Sequence, residues 1–292
     1  MQKVMTVKAA EHEFGHLPPG AAGLGRIAAR PKIVAVACVI LLAALGWLYL
    51  AWMLAVTPAT SGVPVTIVQT ICSALAEGSL TIASVAIVVS MWTAMTLAMM
   101  LPSASPMILT YAGIAETAAR KGERIVSPFV LTSGYISVWL GFSLVAALAQ
   151  IGLMQTALRD ASVTSAGGLF SGAIFIAAGV YQFSALKHAC LTKCQHPFPF
   201  FFANWATTPR GVFRLGQRQG IYCLGCCWAL MLVMFAIGAM NVIWMAALGA
   251  VMTIEKMLTG RRFTYAIGAL LIVIGIGLVV TAFGAHWPVQ AR

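Results

Sequence analysis

Seven apolar runs leave this chain little else to fold with. They lie at roughly 33–56, 79–101, 127–153, 168–189, 219–239, 241–258 and 263–285. A helix needs about 20 apolar residues to cross the hydrocarbon core of a bilayer. Each run reaches that length, the sixth only marginally. Charged residues make up 9% of the 292 positions, against about 25% in a soluble domain. The mean hydropathy is +0.93. The expected fold is therefore all-α: a polytopic transmembrane helix bundle of about seven spans, with residues 33–285 as one transmembrane domain. A basic arm at 1–32 precedes it and a short tail at 286–292 follows. The longest polar stretches, 1–32 and roughly 192–217, are too short for a second globular domain.

The net charge is +11. It does not point to nucleic acid, because the basic residues are spread over short loops rather than gathered on one face. They sort instead by membrane side. With the N-terminus in the cytoplasm, the inner segments carry Lys3, Lys8, Arg26, Arg30 and Lys32, then Arg120, Lys121 and Arg124. Lys187, Lys193, Arg210, Arg214 and Arg218 follow, and last Lys256, Arg261 and Arg262. Only Arg159 and Arg292 of the 18 fall outside. That bias predicts the N-terminus in and the C-terminus out. The first apolar run starts at Ile33, too far along and too long to be a cleaved signal.

Five of the seven cysteines fall between Cys190 and Cys227. One group reads His188-Ala-Cys190-x3-Cys194-x-His196, the other Cys223-x2-Cys226-Cys227. An odd number at this spacing does not suit a disulfide framework. On the predicted topology the fourth run ends, and the fifth begins, at the same cytoplasmic side. Cys190 and Cys194 are i, i+4, and Cys223 shares a helix face with Cys226 and Cys227. Two facing helices can thus bring four thiols to one point, with the second group in the first turns of its span. The second run ends in a methionine stripe, Met91, Met95 and Met99, followed by Met100 and Pro102. Met231, Met234, Met240 and Met245 continue along the fifth and sixth runs. Thiolates and thioethers both favour soft cations such as Cu(I).

Other polar residues have two readings. His188 and His196 are metal ligands or groups at a polar interface. Lys187 and Lys193 mark the inner side or favour nearby thiolates. Glu255 is an intramembrane acid with a functional default, or a carboxylate paired with its neighbour Lys256. Tyr181 and Gln182 are hydrogen-bond donors beside the ligands or between helices. Cys38 and Cys72 read as small apolar residues, and Asn241 as a turn residue.

Five runs carry a resemblance. They are Met91-Trp-x2-Met95-x3-Met99-Met100-x-Pro102, Tyr181-Gln182-x4-Lys187-x2-Cys190-Leu-x2-Cys194, Cys223-x2-Cys226-Cys227-Trp228, Gly238-x-Met240-Asn241 and Glu255-Lys256. Over roughly residues 86–260 the chain resembles the bacterial family of predicted metal-binding integral membrane proteins of unknown function, some members of which are labelled copper chaperone. The resemblance implies a multi-pass protein of the bacterial inner membrane, with Cys190, Cys194, Cys223, Cys226 and Cys227 as ligand candidates.

The leading expectation is a membrane protein that binds Cu(I) for handling, transfer or delivery to a protein partner. The metal ligands are drawn from the five cysteines, His188, His196, Met95, Met99 and Met100, with Gln182, Lys187 and Glu255 beside them. One alternative is a structural zinc site using His188, Cys190, Cys194 and His196, or four thiolates, in a scaffold or an accessory subunit of a larger membrane complex. Another is a thiol oxidoreductase using Cys223 and Cys226, which a reducing cytosol disfavours. No catalytic constellation emerges: His12, His16 and His286 lie in the terminal segments, and no ATP-binding loop occurs. Binding is expected rather than catalysis.

Overall fold

The computed structural model describes residues 31–56, 82–123, 125–159, 167–237 and 242–286. Among them the chain is all-helical, with nine helices and no strand. These are α1 (Pro31–Val56), α2 (Ile82–Arg120), α3 (Pro128–Arg159), α4 (Gly167–Tyr181), α5 (Ala185–Gln195), α6 (Pro197–Ala203), α7 (Pro209–Ile237), α8 (Val242–Met257) and α9 (Arg261–His286). Four of them, α2, α3, α7 and α9, are long and apolar enough to cross a membrane. A fifth is possible if α4 and α5, bent by 64° at their junction, count as one span. The 16-residue α8 is shorter than a span normally requires.

Three boundaries differ from the apolar runs. The second run continues as helix for 19 residues beyond Leu101, through Pro102 and Pro106 to Arg120. Each proline removes one intrahelical donor. The Pro102 carbonyl, which Pro106 leaves without its usual partner, accepts from Ser105 Oγ at 2.7 Å. The fourth run breaks in two because residues 182–184 form a turn, and Ser184 then caps α5 by accepting from the Lys187 backbone N–H at 3.1 Å. The fifth run starts ten residues early, at Pro209, so Cys223 stands 14 residues into α7. At 1.5 Å per residue that is about 21 Å from the helix start. The cysteines therefore occupy the middle of α7, not its first turns.

The helices form pairs. α1 lies along α2, α2 packs on α3, α3 on α7, and α4 on α9; α7 also touches α4 and α5, and α8 touches α2. Glycine permits the closest approaches. A Cβ on Gly216 would lie 2.0 Å from the Leu131 carbonyl oxygen, and one on Gly134 would lie 2.1 Å from that of Phe213. The α3–α7 backbones are thus nearly in contact, the pattern expected of small residues between membrane helices. Trp92 Nε1 donates to Gln150 Oε1 at 2.6 Å, and Thr96 and Ser143 share a hydrogen bond at 2.9 Å, joining α2 to α3.

The core sits around α2 and α7 and is rich in sulfur. Met91, Met95, Met99, Met100, Met231, Met234, Met245 and Met252 are all buried, with Cys223, Cys226 and Cys227. The outer helices are apolar on the outside as well: Leu41, Leu48 and Trp52 on α1, and Val273, Val280 and Phe283 on α9, are more than half exposed. A surface of this kind is consistent with a membrane protein.

Candidate metal centre

The centre lies where α2, α3, α5, α7 and α8 meet. α7 supplies Cys223, Cys226 and Cys227, each 3% exposed or less. The spacing of three and four residues stacks the latter two over the turn that begins at Cys223. Both thiols donate to the Cys223 carbonyl, Cys226 Sγ at 3.0 Å and Cys227 Sγ at 2.8 Å. From α5 the half-buried Cys194 comes within electrostatic reach of the thiols of Cys223 and Cys226. From α2 comes Met100, whose Sδ lies 3.8 Å from Cys227 Sγ.

Cys190, also on α5, touches α7 one turn away. A Cβ on Gly225 would stand 2.6 Å from Cys190 Sγ, so this glycine makes room for the thiol. The Gly225 carbonyl accepts from Tyr181 OH at 2.5 Å, which fixes the end of α4 against the same stretch of α7.

Two more residues complete the centre: Tyr135, which the sequence does not single out, and Lys256, which it offers only as a charge beside Glu255. Tyr135 of α3 shares a hydrogen bond with Cys223 Sγ at 3.0 Å and donates to the Met100 carbonyl at 3.3 Å. Lys256 of α8 places its ammonium 3.0 Å from Cys223 Sγ and 4.0 Å from Met100 Sδ, and donates to Ser103 Oγ at 2.6 Å. Lys256 is only 8% exposed. A buried ammonium is costly unless it is paired, and here the partners are a sulfur and a hydroxyl.

Glu255 does not pair with Lys256, contrary to the neighbour-pairing reading. Its Oε2 accepts from Lys187 Nζ at 2.8 Å, with both side chains 3% exposed or less. Gln195 Nε2 then donates to the Glu255 and Leu258 carbonyls, both at 2.8 Å. These contacts lock α5 to α8. Lys187 thus serves the carboxylate, and Lys256 the thiol. Two residues that read as inner-side charge markers are interior partners.

The other expected site residues are scattered. His188 stacks edge-on against Tyr265 of α9, with ring centroids 5.3 Å apart. His196 is exposed between α5 and α6. Gln182 is fully buried at the α4–α5 turn, and neither of its side-chain polar atoms has a partner among the described residues. Met99 faces Gly249 of α8, and Met95 is buried in α2. Of the methionines, Met100 meets the thiols; one position further along the helix turns it about 100° away from Met99. Cys38 is partly buried on α1. Cys72, His12, His16, Met240, Asn241 and the side chain of His286 lie outside the described residues.

Among the described residues, no three His, Cys, Asp or Glu side chains are arranged to hold a metal ion as they stand. The reason is visible in the hydrogen bonds. Two thiols turn back to a carbonyl of their own helix, and the third is held by Tyr135 and Lys256. The donors themselves, four thiols and a thioether with no carboxylate, fit a soft cation. The ammonium is the one group that does not.

The fold and this centre define a class: an all-helical protein with membrane-length helices and a buried sulfur cluster. A family model described as PpoB2, copper chaperone, matches residues 89–278, 190 of the 292, and the chain belongs to that family. The matched stretch contains all five clustered cysteines, Met100, Tyr135 and Lys256. No curated protein and no solved structure matches the chain.

Proposed function

We propose that this protein binds Cu(I) through Cys194, Cys223, Cys226, Cys227 and Met100 and passes it to a protein partner. Cys190 stands close enough to receive or relay the ion. The observation that carries this reading is the buried meeting of Cys223, Cys226 and Cys227 of one helix with Met100 of another, with Cys194 of a third helix within electrostatic reach, in a copper chaperone family. Thiolate and thioether together select a soft monovalent ion over Mg(II), Ca(II) or Mn(II), which prefer oxygen. The mixed His–Cys set that zinc would use gains no support, since His188 faces Tyr265 and His196 is exposed.

The membrane arrangement belongs to the same proposal: about seven spans in a bacterial inner membrane, N-terminus in and C-terminus out. In that orientation α5 and the loops flanking α6 face the cytoplasm, and metal is exchanged there. The four or five membrane-length helices support a multi-pass protein; the loop charges support the orientation. Cysteine-labelling of single introduced residues in sealed vesicles tests the orientation. Cu(I) titration of purified protein in reducing buffer, against a chromophoric Cu(I) chelator, tests the binding. One bound Cu(I) per chain, lost on changing Cys223 and Cys227 to Ser, supports the proposal; no competition with the chelator refutes it.

A further inference from the structure

Lys256 contributes a positive charge at the place where a metal cation would be held. Its Nζ lies 3.0 Å from Cys223 Sγ and 4.0 Å from Met100 Sδ, with Ser103 Oγ at 2.6 Å as its third neighbour. A metal–sulfur bond is about 2.3 Å long. An ion bonded to Cys223 Sγ would stand no more than about 5 Å from the ammonium, which lies 3.0 Å from that sulfur. Two cations so close in a dry site repel strongly. We propose that Lys256 is a resident cation that copper displaces, so that the centre holds the ammonium or the metal but not both.

The position of the residue allows it to leave. Lys256 is the last residue but one of α8, and Met257, Leu258, Thr259 and Gly260 after it are exposed. A lysine with a four-carbon stem near a helix end can keep that stem on apolar surface and carry its charge outward. Glu255 stays behind, held by Lys187, and Gln195 holds the helix end. The exchange therefore involves one side chain and not the whole helix. It suits a site that passes metal on: when copper leaves, the returning ammonium takes up the contacts that copper vacates. This inference rests on the Cu(I) reading above and assigns the residue that makes binding reversible.

The test uses the full chain in detergent micelles under reducing conditions, with Ag(I) as a redox-inert probe and Cu(I) as the cargo. Lys256→Leu keeps an apolar side chain and removes the charge without adding a metal ligand. It is expected to tighten Cu(I) binding against a chelator by about tenfold and to slow release by a similar factor, the usual scale of coupling between two bound species. Ser103→Ala, which frees the ammonium of its hydroxyl, shifts affinity the same way by a smaller factor and serves if the first variant fails to fold. In the unmodified protein, acylation of the Lys256 amine, read by mass spectrometry, rises on adding Ag(I). Weaker or unchanged affinity in both variants, or labelling that Ag(I) does not raise, overturns the exchange. If the unmodified protein binds neither ion, the Cu(I) reading falls and the exchange with it. If it binds and these readouts stay still, only the exchange falls.

Discussion

Lys256 Nζ stands 3.0 Å from the Sγ of Cys223, while the adjacent Glu255 turns away to Lys187 at 2.8 Å. Consecutive residues on a helix point about 100° apart, so one step at the end of α8 serves two partners. Lys256 reaches the sulfur cluster on α7, and Glu255 fixes α5, the helix that carries Cys190 and Cys194. The charges therefore do structural work for the cluster from both sides.

Breaking the Glu255–Lys187 pair leaves a buried ammonium without its carboxylate. Removing one partner of such a pair costs about 3–5 kcal/mol. Glu255→Gln should lower the thermal midpoint in detergent markedly. Adding Lys187→Met should recover most of that loss, because the orphaned charge goes too. A double variant as unstable as the single one contradicts the pairing.

Tyr135 touches Cys223 through its hydroxyl and buries its ring beside Trp139. Tyr135→Phe keeps the ring and loses the hydrogen bond. Changes to groups that orient metal ligands typically weaken binding about 10–100-fold. The variant should show a loss of Cu(I) affinity in that range with little change in its melting temperature. Unchanged affinity means the hydroxyl does not orient the sulfur.

The α3–α7 contact predicts a contrast between two glycines. Gly216→Ala places a methyl 2.0 Å from the Leu131 carbonyl oxygen, where backbone must move. Overpacking of this kind costs about 1–3 kcal/mol. A Cβ on Gly277 meets nothing within 4 Å, and Gly277→Ala should leave stability equal or raise it by about 0.5–1 kcal/mol through helix propensity. Equal melting temperatures for the two variants contradict the packing.

Much of this was legible in the sequence, for identifiable reasons. Apolar length located the four helices that are long and apolar enough to cross a membrane, and i, i+4 spacing put Cys223 and Cys227 on one face. The break between α4 and α5 was hidden, because the run continues apolar through Phe183; the backbone turn at 182–184 and the Ser184 cap of α5 are local features that hydropathy does not register. Apolar length also fell short at the other extreme: the second run ends at Leu101, yet α2 continues through Pro102 and Pro106 to Arg120. In the centre, the sulfur donors were visible as a cluster; of the expected Met95, Met99 and Met100, Met100 is the one that meets a thiol. Tyr135 and Lys256 join Cys223 through tertiary packing between residues 88 and 33 positions apart, which no local spacing encodes. Glu255-Lys256 was visible as a pair of charges; what the sequence hid was that the two charges face different helices.

The central claim is tested most directly by the metal content of the purified chain, loaded with Cu(I) under reducing, oxygen-free conditions and separated from free ion. The account predicts about one copper per chain, retained in Cys38→Ser and lost in the Cys223→Ser/Cys227→Ser double variant, whose helical content is unchanged. Copper that binds equally well to that double variant, or that fails to bind the unmodified protein, contradicts it.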